Sequence, residues 1–394
     1  MRILFINQFF WPDAAPTGRY LEDLARELVQ QGHEVDVLCG GGRYEGAVKG
    51  VNPPPVSIYR IPAPDYTRSG AARMLNWVTF LLRAAWRAFR LPRYHAVVAM
   101  TTPPGLSYAG LVQQARGARL WLWEMDLYPD VAIATGTMRG GTWLARLMER
   151  LLDWPRRRAE GVLVLGDCMR NRLLRNGIQP ARLVIAENWA DSAKFACLPL
   201  PESPPLRVLY SGNLGVVHEI ETILEVMTLL RGDPRIEFVF AGGGVRYTEL
   251  QEHCRARGLQ NVSFEGYEDN ERFAARLSGC HAGLVTLRPG CEGTVVPSKF
   301  YSLLAAGRPV LYIGPLAATP ARRISEYACG WAYESGESRA LAELLLGLLH
   351  NRSELETRGQ NGRQAFLSVY DRQAAVPRLA RLIGGPGAPA PEIK

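Results

Sequence analysis

The stretch RILFINQFFWPDAAPTGRYLEDLARELVQQGHEVDVLCG, residues 2–40, carries the strongest signal for the fold. It begins with a short apolar run, residues 2–7, that is typical of a buried strand. In residues 18–32 the apolar side chains recur at helical spacing, and Gly32 is a candidate helix end. Residues 33–40 form a second strand pattern. A crossover of this length between two strands predicts that they pair in parallel.

The same alternation continues in two halves of the chain. A segment with prolines at 199, 201, 204 and 205 separates them and is typical of a linker. We therefore predict an α/β fold with two doubly wound, Rossmann-like parallel-sheet domains, residues 1–195 and 205–365. Residues 366–383 are predicted to form a C-terminal helix that returns to the first domain, and residues 384–394 a disordered tail. Further strand patterns occupy residues 95–100, 119–126, 161–166, 183–191, 207–212, 237–244, 261–266, 282–287 and 309–314.

Composition bounds the class of protein. A chain of 394 residues is too long to fold around a single hydrophobic core, so two domains are expected. Its content of 47% apolar and 21% charged residues is typical of a soluble globular protein. No segment reaches the roughly 18 uncharged apolar residues of a membrane span. The N-terminus does not resemble a signal peptide. Seven scattered cysteines without a C-x-x-C pair indicate a reducing, cytoplasmic compartment and no structural zinc.

The net charge of +8 is unevenly distributed. Residues 1–200 hold 25 basic and 17 acidic side chains, whereas residues 201–394 hold 21 of each, so the first half carries the whole excess. Such an excess indicates an anionic partner: a membrane surface, a nucleic acid or a phosphorylated substrate.

A predicted helix at residues 71–90 carries much of this charge. Its polar side chains form one narrow stripe and the rest of its surface is apolar. A second basic helical stretch follows at residues 142–158. Cationic amphipathic helices with tryptophan dock in membrane interfaces, so we predict docking on an anionic membrane. The alternative is a helix packed on its own sheet with arginines in water. The side chains predicted to face the membrane are Arg73, Trp77, Arg83, Trp86, Arg87 and Arg90.

Lys299 is one of only four lysines among 46 basic residues. It follows Pro297 and Ser298, where a short helix over residues 299–306 is predicted, with Ser298 as N-cap and Gly307 as the stop. A helix start combined with an ammonium group suits a phosphate. The alternative is a solvated lysine.

Two loops in the same half have a related pattern. After a predicted strand, Gly212 leads to the polar residues Asn213 and His218. A glycine triplet that includes Gly243 and Gly244 follows the next strand. Glycines allow a ligand to approach the backbone closely, although each loop alone also reads as a simple turn. Neither matches the dinucleotide-binding G-x-G-x-x-G pattern in its required context.

Together, SGNLG…H, FAGGG, V-x-F-x-G and VPSKFY-x-x-LAAGRPV resemble the donor half of family-four retaining glycosyltransferases. More narrowly, the chain resembles bacterial fucosamine- and fucosyl-transferase-like enzymes of O-antigen and capsule assembly. The segments FFWPDAAPTGRYLEDLARELVQQGHEV, TTPP and MDLYPD match the same group, so that the resemblance covers about residues 1–380. It implies a GT-B fold, in which two Rossmann-like domains face each other across a cleft, with the acceptor on the first and the nucleotide-sugar on the second.

The resemblance also implies site residues. Lys299 and Ser298 would bind the donor diphosphate. Asn213 and His218 stand where many relatives hold an arginine and a lysine, and neither is reliably cationic at neutral pH. Relatives hold two glutamates where this chain has Thr294 and Ser302; Ser302 can still donate a hydrogen bond to ribose, and Glu292 is a candidate to replace the first glutamate. The implied donor-binding set is Gly212, Asn213, His218, Gly243, Gly244, Glu292, Ser298 and Ser302.

In the first half, Gly18 falls at the family's glycine loop and would approach the donor or acceptor closely. The alternative is an ordinary residue of the first helix. Asp126 ends a predicted strand and is predicted to orient an acceptor hydroxyl or act as a base, with Glu124 in reserve. The alternative for Asp126 is helix capping. Lys299, Asp126 and Gly18 form the predicted catalytic set.

These expectations combine into a cytoplasmic glycosyltransferase at the inner face of the cell membrane. It would move a hexosyl or N-acetylhexosaminyl group, with retention, from a nucleoside-diphosphate sugar, with UDP the expected nucleotide, to a lipid-linked or saccharide acceptor of cell-surface polysaccharide. The resemblance implies no cofactor and no metal. One alternative is a nucleotide-sugar 2-epimerase of the same fold. Another is a basic nucleic-acid-binding protein, which the absence of a recognition motif disfavours.

Overall fold

The computed structural model describes residues 1–13, 15–41, 52–62, 70–202, 204–267 and 270–385, with the side chains of residues 70–74 and 270–272 outside that description. The chain divides into two compact units. Unit 1 begins at Met1, ends at Glu187 and includes the C-terminal residues from Ala375 onward. Unit 2 runs from Asn188 to Ala374. Most of the predicted tail, residues 386–394, lies outside the described residues.

Unit 1 is built on a seven-stranded, wholly parallel sheet with the order β3-β2-β1-β4-β5-β6-β7. All four residues from Ile3 to Ile6 are fully buried, because helices cover both faces of a parallel sheet. This burial explains the unbroken apolar run of the first strand. The strands are β1 (Arg2–Ile6), β2 (Glu34–Gly40), β3 (Ser57–Ile61), β4 (Ala96–Met100), β5 (Arg119–Glu124), β6 (Gly161–Val164) and β7 (Leu183–Ile185).

The helices of unit 1 connect these strands. The predicted apolar face of the first helix is confirmed, since Leu21, Leu24, Ala25 and Leu28 are buried. The helices are α1 (Pro16–Gln30), α2 (Gly70–Arg90), α3 (Ser107–Gln114), α4 (Asp130–Ala134), α5 (Trp143–Arg158) and α6 (Asp167–Arg175), with a short 3₁₀ turn at Pro180–Arg182.

Unit 2 repeats this plan with six parallel strands in the order β10-β9-β8-β11-β12-β13. Its core includes the fully buried Phe238 and Leu345. The strands are β8 (Leu206–Asn213), β9 (Ile236–Gly243), β10 (Val262–Glu265), β11 (Ala282–Thr286), β12 (Val310–Ile313) and β13 (Gly330–Tyr333). The helices are α7 (Glu221–Leu229), α8 (Val245–Ala256), α9 (Asn270–Ser278), α10 (Lys299–Ala305), α11 (Thr319–Tyr327), α12 (Ser338–Leu348) and α13 (Arg352–Ala365), and a 3₁₀ turn at Ser192–Lys194 precedes them.

A π-helical turn, Phe366–Tyr370, and a last helix, α14 (Arg372–Gly384), lead back into unit 1. Arg119 on β5 donates a hydrogen bond of 2.9 Å to the Ile383 carbonyl. A Cβ atom on Gly384 would lie 2.5 Å from His33 Nε2, so the absence of a side chain there allows α14 to lie close to the turn after α1.

Two strands, β3 and β13, were not expected from the sequence. Both are edge strands and have only one strand neighbour. Edge strands lack the continuous apolar run that marks a central parallel strand, and most of the residues of β3 and β13 are only partly buried or exposed. Hydrophobic patterning alone therefore missed them.

The proline-rich segment is fixed to unit 2 rather than free. Leu200 is buried in the core of that unit. Arg352 donates hydrogen bonds of 2.7 and 2.6 Å to the carbonyls of Leu200 and Pro201. Arg308 donates one of 3.0 Å to Leu198. The units divide at residues 187 and 188, so this segment belongs wholly to unit 2.

Candidate active site

The candidate donor site lies at the carboxyl end of the unit 2 sheet, where the strand order reverses between β8 and β11. Ligands of doubly wound sheets bind at this switch point. Three residues meet there: Tyr210 on β8, His218 in the loop after β8, and Lys299 at the start of α10. His218 connects the two strands, since its Nδ1 lies 2.8 Å from the carbonyl oxygen of Thr286, the last residue of β11.

Lys299 is partly buried and lies against Tyr210. Its Nζ donates a hydrogen bond to the Tyr210 hydroxyl and lies 3.8 Å from the centroid of the same ring. No acidic side chain pairs with it in the part of the chain that the structure describes. Burial lowers the pKa of Lys299 to about 7 because nothing nearby compensates the desolvated ammonium. Lys299 is therefore not the solvated lysine that the sequence left open as the alternative.

The start of α10 differs from the prediction, whereas its end agrees with it. Ser298 is exposed and has helical backbone angles, and its side chain makes no capping hydrogen bond. The predicted N-cap role of Ser298 is therefore wrong, because capping requires an extended backbone at that residue. The predicted stop at Gly307 is confirmed. Its φ is +66°, and the N–H groups of Gly307 and Arg308 return to the carbonyls of Leu304 and Leu303.

The glycines of the two predicted donor loops pack against each other. Gly212 and Gly242 are paired residues of β8 and β9, and a Cβ atom on Gly242 would lie 2.3 Å from the Gly212 carbonyl oxygen. A Cβ on Gly244 would lie 2.5 Å from Asn213 Oδ1, and one on Gly243 2.9 Å from the Tyr267 ring. Crowding by neighbouring atoms thus accounts for Gly242, Gly243 and Gly244, and a φ of +118° accounts for Gly212. The contact of Gly212, Gly243 and Gly244 with a ligand stays a prediction.

His218 is buried and neutral. Burial, and secondarily the charge of Lys299, lower its pKa to about 3. Because a carbonyl oxygen only accepts hydrogen bonds, Nδ1 must carry the ring proton that is donated to Thr286. His218 therefore supplies no positive charge to this site at neutral pH. Asn213 is exposed and uncharged, so among Asn213, His218 and Lys299 only Lys299 can supply a positive charge.

The remaining predicted donor residues lie around α10. Ser302, one turn after Lys299, lines a small cavity with Lys299 and Ser211. Thr294 is fully buried and donates a hydrogen bond of 2.8 Å to the Cys291 carbonyl, so its side chain fixes the loop before α10. Glu292 is partly buried and forms a backbone bridge with Val295.

In unit 1, Asp126 lies just beyond β5. Its N–H and that of Met125 both point to the Thr101 hydroxyl, at 3.4 and 3.1 Å. Asp126 lines a recess of about 20 Å³, room for about one water molecule, together with Ser107 and Glu124. Burial, followed by the neighbouring charge of Glu124, raises the pKa of Asp126 to about 6. A carboxyl group that titrates near neutrality suits a base or an acceptor-orienting residue.

Glu124, the reserve candidate, is part of a buried ion-pair network. Arg156 on α5 donates to Glu124 Oε1 at 2.8 Å and to Asp153 Oδ1 at 2.9 Å, and it also donates to the Tyr128 carbonyl at 3.2 Å. All three charged side chains are almost fully buried. The network holds α5 to the end of β5, and Glu124 and Arg156 line the same recess as Asp126. We therefore propose a supporting role for Glu124.

Gly18 lies in the first turn of α1 and is buried. A Cβ atom there would lie 3.1 Å from the Phe9 carbonyl oxygen. Asn7, directly after β1, donates hydrogen bonds to Phe9 O at 2.8 Å and to Thr17 Oγ1 at 3.2 Å. Close packing of α1 on the loop after β1 thus accounts for this glycine, and its contact with a ligand stays a prediction.

Sequence reasoning missed three features of these sites. Tyr210 was an ordinary strand residue in the pattern, and Arg156 was one arginine in a basic run. Asn7 and Gln8 are buried at the unit 1 switch point, and their side-chain oxygens have no hydrogen-bond partner among the described residues. The only available signal was the placement of Asn7 and Gln8 directly after a strand.

The basic helices of unit 1 expose a broad apolar surface. Of the twenty large hydrophobic side chains that are exposed among the described residues, eleven belong to α2, α3 and α5. Arg90 lies over the Trp86 ring and Arg158 over the Trp154 ring, at 4.6 and 4.8 Å. We call these eleven residues the apolar face. They are Leu75, Val78, Leu82, Trp86, Phe89, Tyr108, Trp143, Leu144, Leu147, Leu151 and Trp154.

The apolar face differs in part from the predicted membrane-facing set. Trp86, Arg83, Arg87 and Arg90 are exposed, as that prediction requires. Trp77 is instead half-buried, with its ring edge-on to Tyr128 at 6.5 Å. The side chain of Arg73 lies outside the described residues. None of the described helices is long and apolar enough to span a bilayer.

The described residues contain no group of three or more histidine, cysteine, aspartate or glutamate side chains placed to hold a metal ion.

Two family models match the chain. The model of the glycosyl transferase 4-like domain matches residues 17–189, and that of glycosyl transferases group 1 matches residues 194–365. The chain is 24% identical over 364 residues to the probable glycosyltransferase WbjE of Pseudomonas aeruginosa, covering 87% of this chain and 88% of WbjE. It is 26% identical over 341 residues to the putative colanic acid biosynthesis glycosyl transferase WcaI of Escherichia coli K12, covering 78% and 82%.

Solved structures agree on the fold. Sucrose-phosphate synthase from Thermosynechococcus elongatus superposes with a TM-score of 0.73 at 17% identity, covering 97% of this chain and 98% of that one. Alr3699/HepE of Anabaena, in complex with UDP and glucose, superposes with a TM-score of 0.71 at 14% identity, covering 98% and 100%. The two family models together span most of the chain, and the chain belongs to the family-four glycosyltransferases of the GT-B fold.

Proposed function

We propose that the protein is a retaining glycosyltransferase that moves a hexosyl or N-acetylhexosaminyl group from a UDP-sugar to a lipid-linked or saccharide acceptor of a cell-surface polysaccharide. The observation that carries the proposal is the partly buried amine of Lys299 at the unit 2 switch point. No acidic side chain of the described residues pairs with this amine, and an anionic ligand would compensate its burial.

A lysine in this position suits the leaving group of glycosyl transfer. As the sugar departs, negative charge develops on the diphosphate, and a preorganised cation at that position stabilises the transition state more than the ground state. His218 is neutral and Asn213 is uncharged, so this role falls mainly on Lys299. We place Ser302 on the donor ribose, since its hydroxyl lines the same small cavity as Lys299.

The relatives support the donor and the pathway. The name of WcaI assigns that protein to colanic acid biosynthesis, and the HepE structure contains UDP and glucose. Both favour a nucleotide-sugar donor and a polysaccharide product here. Retention and independence of metal are implied by the family resemblance, and an assay with a chelator present tests the second.

In unit 1, we propose that Asp126 contacts the acceptor. Its pKa near 6 leaves it mostly ionised at pH 7, so it can accept a hydrogen bond from an acceptor hydroxyl. The buried Arg156–Glu124 pair lines the same recess as Asp126 and helps to fix its shape.

The first experiment is a screen of nucleotide-sugars by thermal shift. A ligand at 100 times its dissociation constant raises the free energy of unfolding by about 2.7 kcal/mol, which is readily measured. We expect stabilisation by a UDP-sugar in the wild type and in Lys194→Ala, whose lysine is exposed, but much less in Lys299→Ala. Equal stabilisation of all three proteins would remove Lys299 from the donor site.

The second experiment separates transfer from epimerisation. The protein is incubated with the UDP-sugar found in the screen, with and without an acceptor, and the products are identified by NMR. We expect a glycoside with the anomeric configuration of the donor, formed only with acceptor. An epimerised nucleotide-sugar formed from the donor alone would identify the 2-epimerase instead.

We further propose that unit 1 docks on an anionic membrane, on the cytoplasmic side, through its apolar face. The described residues of α2 include no acidic side chain, and Arg83, Arg87 and Arg90 flank its exposed apolar side chains. Each basic residue near an anionic leaflet contributes about 1 kcal/mol, and the stacked tryptophans suit the interface. A concentration of exposed apolar side chains on a few helices is typical of an interaction site.

Vesicle flotation tests this docking. We expect the wild type to float with vesicles that contain phosphatidylglycerol and to be released by high salt. Leu82→Ser combined with Trp86→Ser should lose binding, whereas Leu229→Ser, at an exposed apolar residue of unit 2, should retain it. Binding to DNA but not to vesicles in a gel-shift comparison would instead support the nucleic-acid alternative, and a dimer dispersed by the double substitution would identify a second copy as the partner.

A further inference from the structure

A chain of two hydrogen bonds ends on the Lys299 amine. The Tyr210 hydroxyl donates its proton to the Asn213 carbonyl at 2.9 Å. A tyrosine hydroxyl has one proton to donate, so towards Lys299 its oxygen can only accept. The Lys299 amine donates to that oxygen. The direction of both hydrogen bonds is therefore fixed by the Asn213 carbonyl.

Tyr210 is a rigid support for this contact. It is fully buried, its ring stacks on Phe240 with centroids 5.8 Å apart, and His218 lies edge-on to it, also at 5.8 Å. The aliphatic part of the Lys299 side chain passes beside Gly212. A Cβ atom built on Gly212 would lie 3.8 Å from Lys299 Cε. The hydroxyl thus holds the amine at the carboxyl end of β8, on the edge where the donor diphosphate is proposed to bind.

The groups that face the amine carry no compensating negative charge. Tyr210 stays neutral because burial, and then Tyr267, raise its pKa well above the usual value. His218 is neutral for the opposite reason, a lowered pKa. The other lining residues of the small cavity beside Lys299 do not titrate: Ser211 and Leu209 on β8, Phe273 and Leu277 on α9, Leu284 on β11, and Ser302 and Leu303 on α10.

We propose that Tyr210 is a positioning residue for the donor diphosphate, and that binding of the donor adds a solvent proton to the Lys299 amine that Tyr210 holds. In the donor-free protein a large fraction of the amine is neutral at pH 7 to 8. The diphosphate favours the ammonium form, so a neutral amine takes up one proton as the complex forms, and no other bond changes. The inference rests on the proposed function for the identity of the donor.

The scarcity of lysine makes a direct measurement possible. Labelling with ε-¹³C-lysine gives four side-chain signals, from Lys49, Lys194, Lys299 and Lys394. We expect one signal to titrate near pH 7, to be absent from Lys299→Met, and to titrate about one pH unit lower in Tyr210→Phe, because the ammonium loses its acceptor. Four signals that titrate together near pH 10, or a Lys299 signal unmoved in Tyr210→Phe, would overturn the proposal.

Calorimetry with the UDP-sugar supplies the second readout and does not require the tyrosine variant to fold. Both phosphates of a UDP-sugar are esterified and the uracil N3–H titrates only above pH 9, so the ligand itself takes up no proton at pH 8. Titrations at pH 8 in buffers of different ionisation enthalpy should show uptake of nearly one proton by the wild type. Lys299→Arg should show none, because a guanidinium is always charged. Absence of proton uptake by the wild type would also overturn the proposal.

The two measurements separate this inference from the proposed function. If no nucleotide-sugar binds the wild type, the donor assignment fails, and the lysine titration still decides whether Tyr210 controls the Lys299 amine. If a UDP-sugar binds but Lys299 titrates like the other lysines, the donor assignment stands and the role of Tyr210 fails.

Discussion

The two sheets share the same strand order over six strands, to which unit 1 adds a seventh, yet the side chains at their carboxyl edges differ in charge. In unit 1 the edge holds Asp126, with the buried Glu124 beside it. In unit 2 it holds Lys299 beside two neutral aromatic rings. Burial moves both groups towards neutrality, raising the pKa of Asp126 to about 6 and lowering that of Lys299 to about 7. One physical effect therefore produces two edges that titrate in the same pH range.

The difference lies in how each edge compensates its charge. In unit 1, Arg156 pairs with Glu124, whereas burial and the charge of Glu124 raise the pKa of Asp126 to about 6. In unit 2 no acidic side chain of the described residues pairs with Lys299, so a bound anion would supply the charge that compensates its ammonium form. We read the unit 2 edge as a site for an anion and the unit 1 edge as a site for a hydroxyl donor. The following substitutions test this contrast, from the largest expected effect to the smallest.

Removing the cation should have the largest effect. We expect Lys299→Ala to lower turnover by about 10³-fold, because preorganised charge at a leaving group contributes that much in comparable sites. The thermal midpoint should not fall, since a partly buried amine without an acidic partner adds little stability. Lys194→Ala removes an exposed lysine from the same unit and should behave as the wild type. Turnover of Lys299→Ala near the wild-type value would end the assignment of unit 2 as the anion site.

Removing the charge of Asp126 should lower turnover less than the loss of Lys299. Asp126→Asn keeps the shape of the side chain and removes its charge, and we expect turnover to fall about 10²-fold. The active form is the carboxylate, so the wild-type rate should fall as pH drops through about 6, and this acidic limb should vanish in the variant. Glu160→Gln, an exposed acid of the same unit, is the matched control. An unchanged acidic limb in Asp126→Asn would show that another group titrates.

Glu124→Gln tests whether Glu124 stabilises the site or takes part in the reaction. The variant weakens a buried charge-assisted contact with Arg156, and we expect the free energy of unfolding to fall by about 2 kcal/mol in urea titrations. Since the charge of Glu124 raises the pKa of Asp126, its removal should move the acidic limb of the rate profile to lower pH. A large loss of turnover with unchanged stability would instead make Glu124 part of the reaction.

Changing the histidine should have the smallest effect. His218 is neutral and its Nδ1 proton is committed to Thr286, so it contributes no titration near neutral pH. We expect His218→Gln to reduce turnover by no more than about fivefold, the cost of one neutral hydrogen bond. The shape of its pH–rate profile should superimpose on that of the wild type. A limb that disappears in this variant would show that His218 is charged during turnover.

Much of the fold was predictable because its signals are local. The first β-α-β unit and the buried central strands follow from continuous apolar runs, and the end of α10 follows from one glycine. The edge strands β3 and β13 were missed because they are only half covered and lack such runs. The proline-rich segment was read as a linker because its fixation depends on arginines more than 100 residues away.

The candidate site was predictable only in part. Lys299 stood out because lysine is rare here, and Asp126 because it ends a predicted strand. The role of Ser298 as a cap was wrong because its backbone is already helical. Sequence spacing could not reveal that Tyr210 meets Lys299 across 89 residues, or that Arg156 neutralises Glu124 across 32. Such pairs arise from the topology of the sheets rather than from any local pattern.

The most direct measurement is a crystal structure of the protein with an intact UDP-sugar. We expect a diphosphate oxygen within about 3 Å of Lys299 Nζ, the distance of a charge-assisted hydrogen bond, at the edge between β8 and β11. A nucleotide bound elsewhere, with Lys299 still directed only at Tyr210, would contradict the assignment.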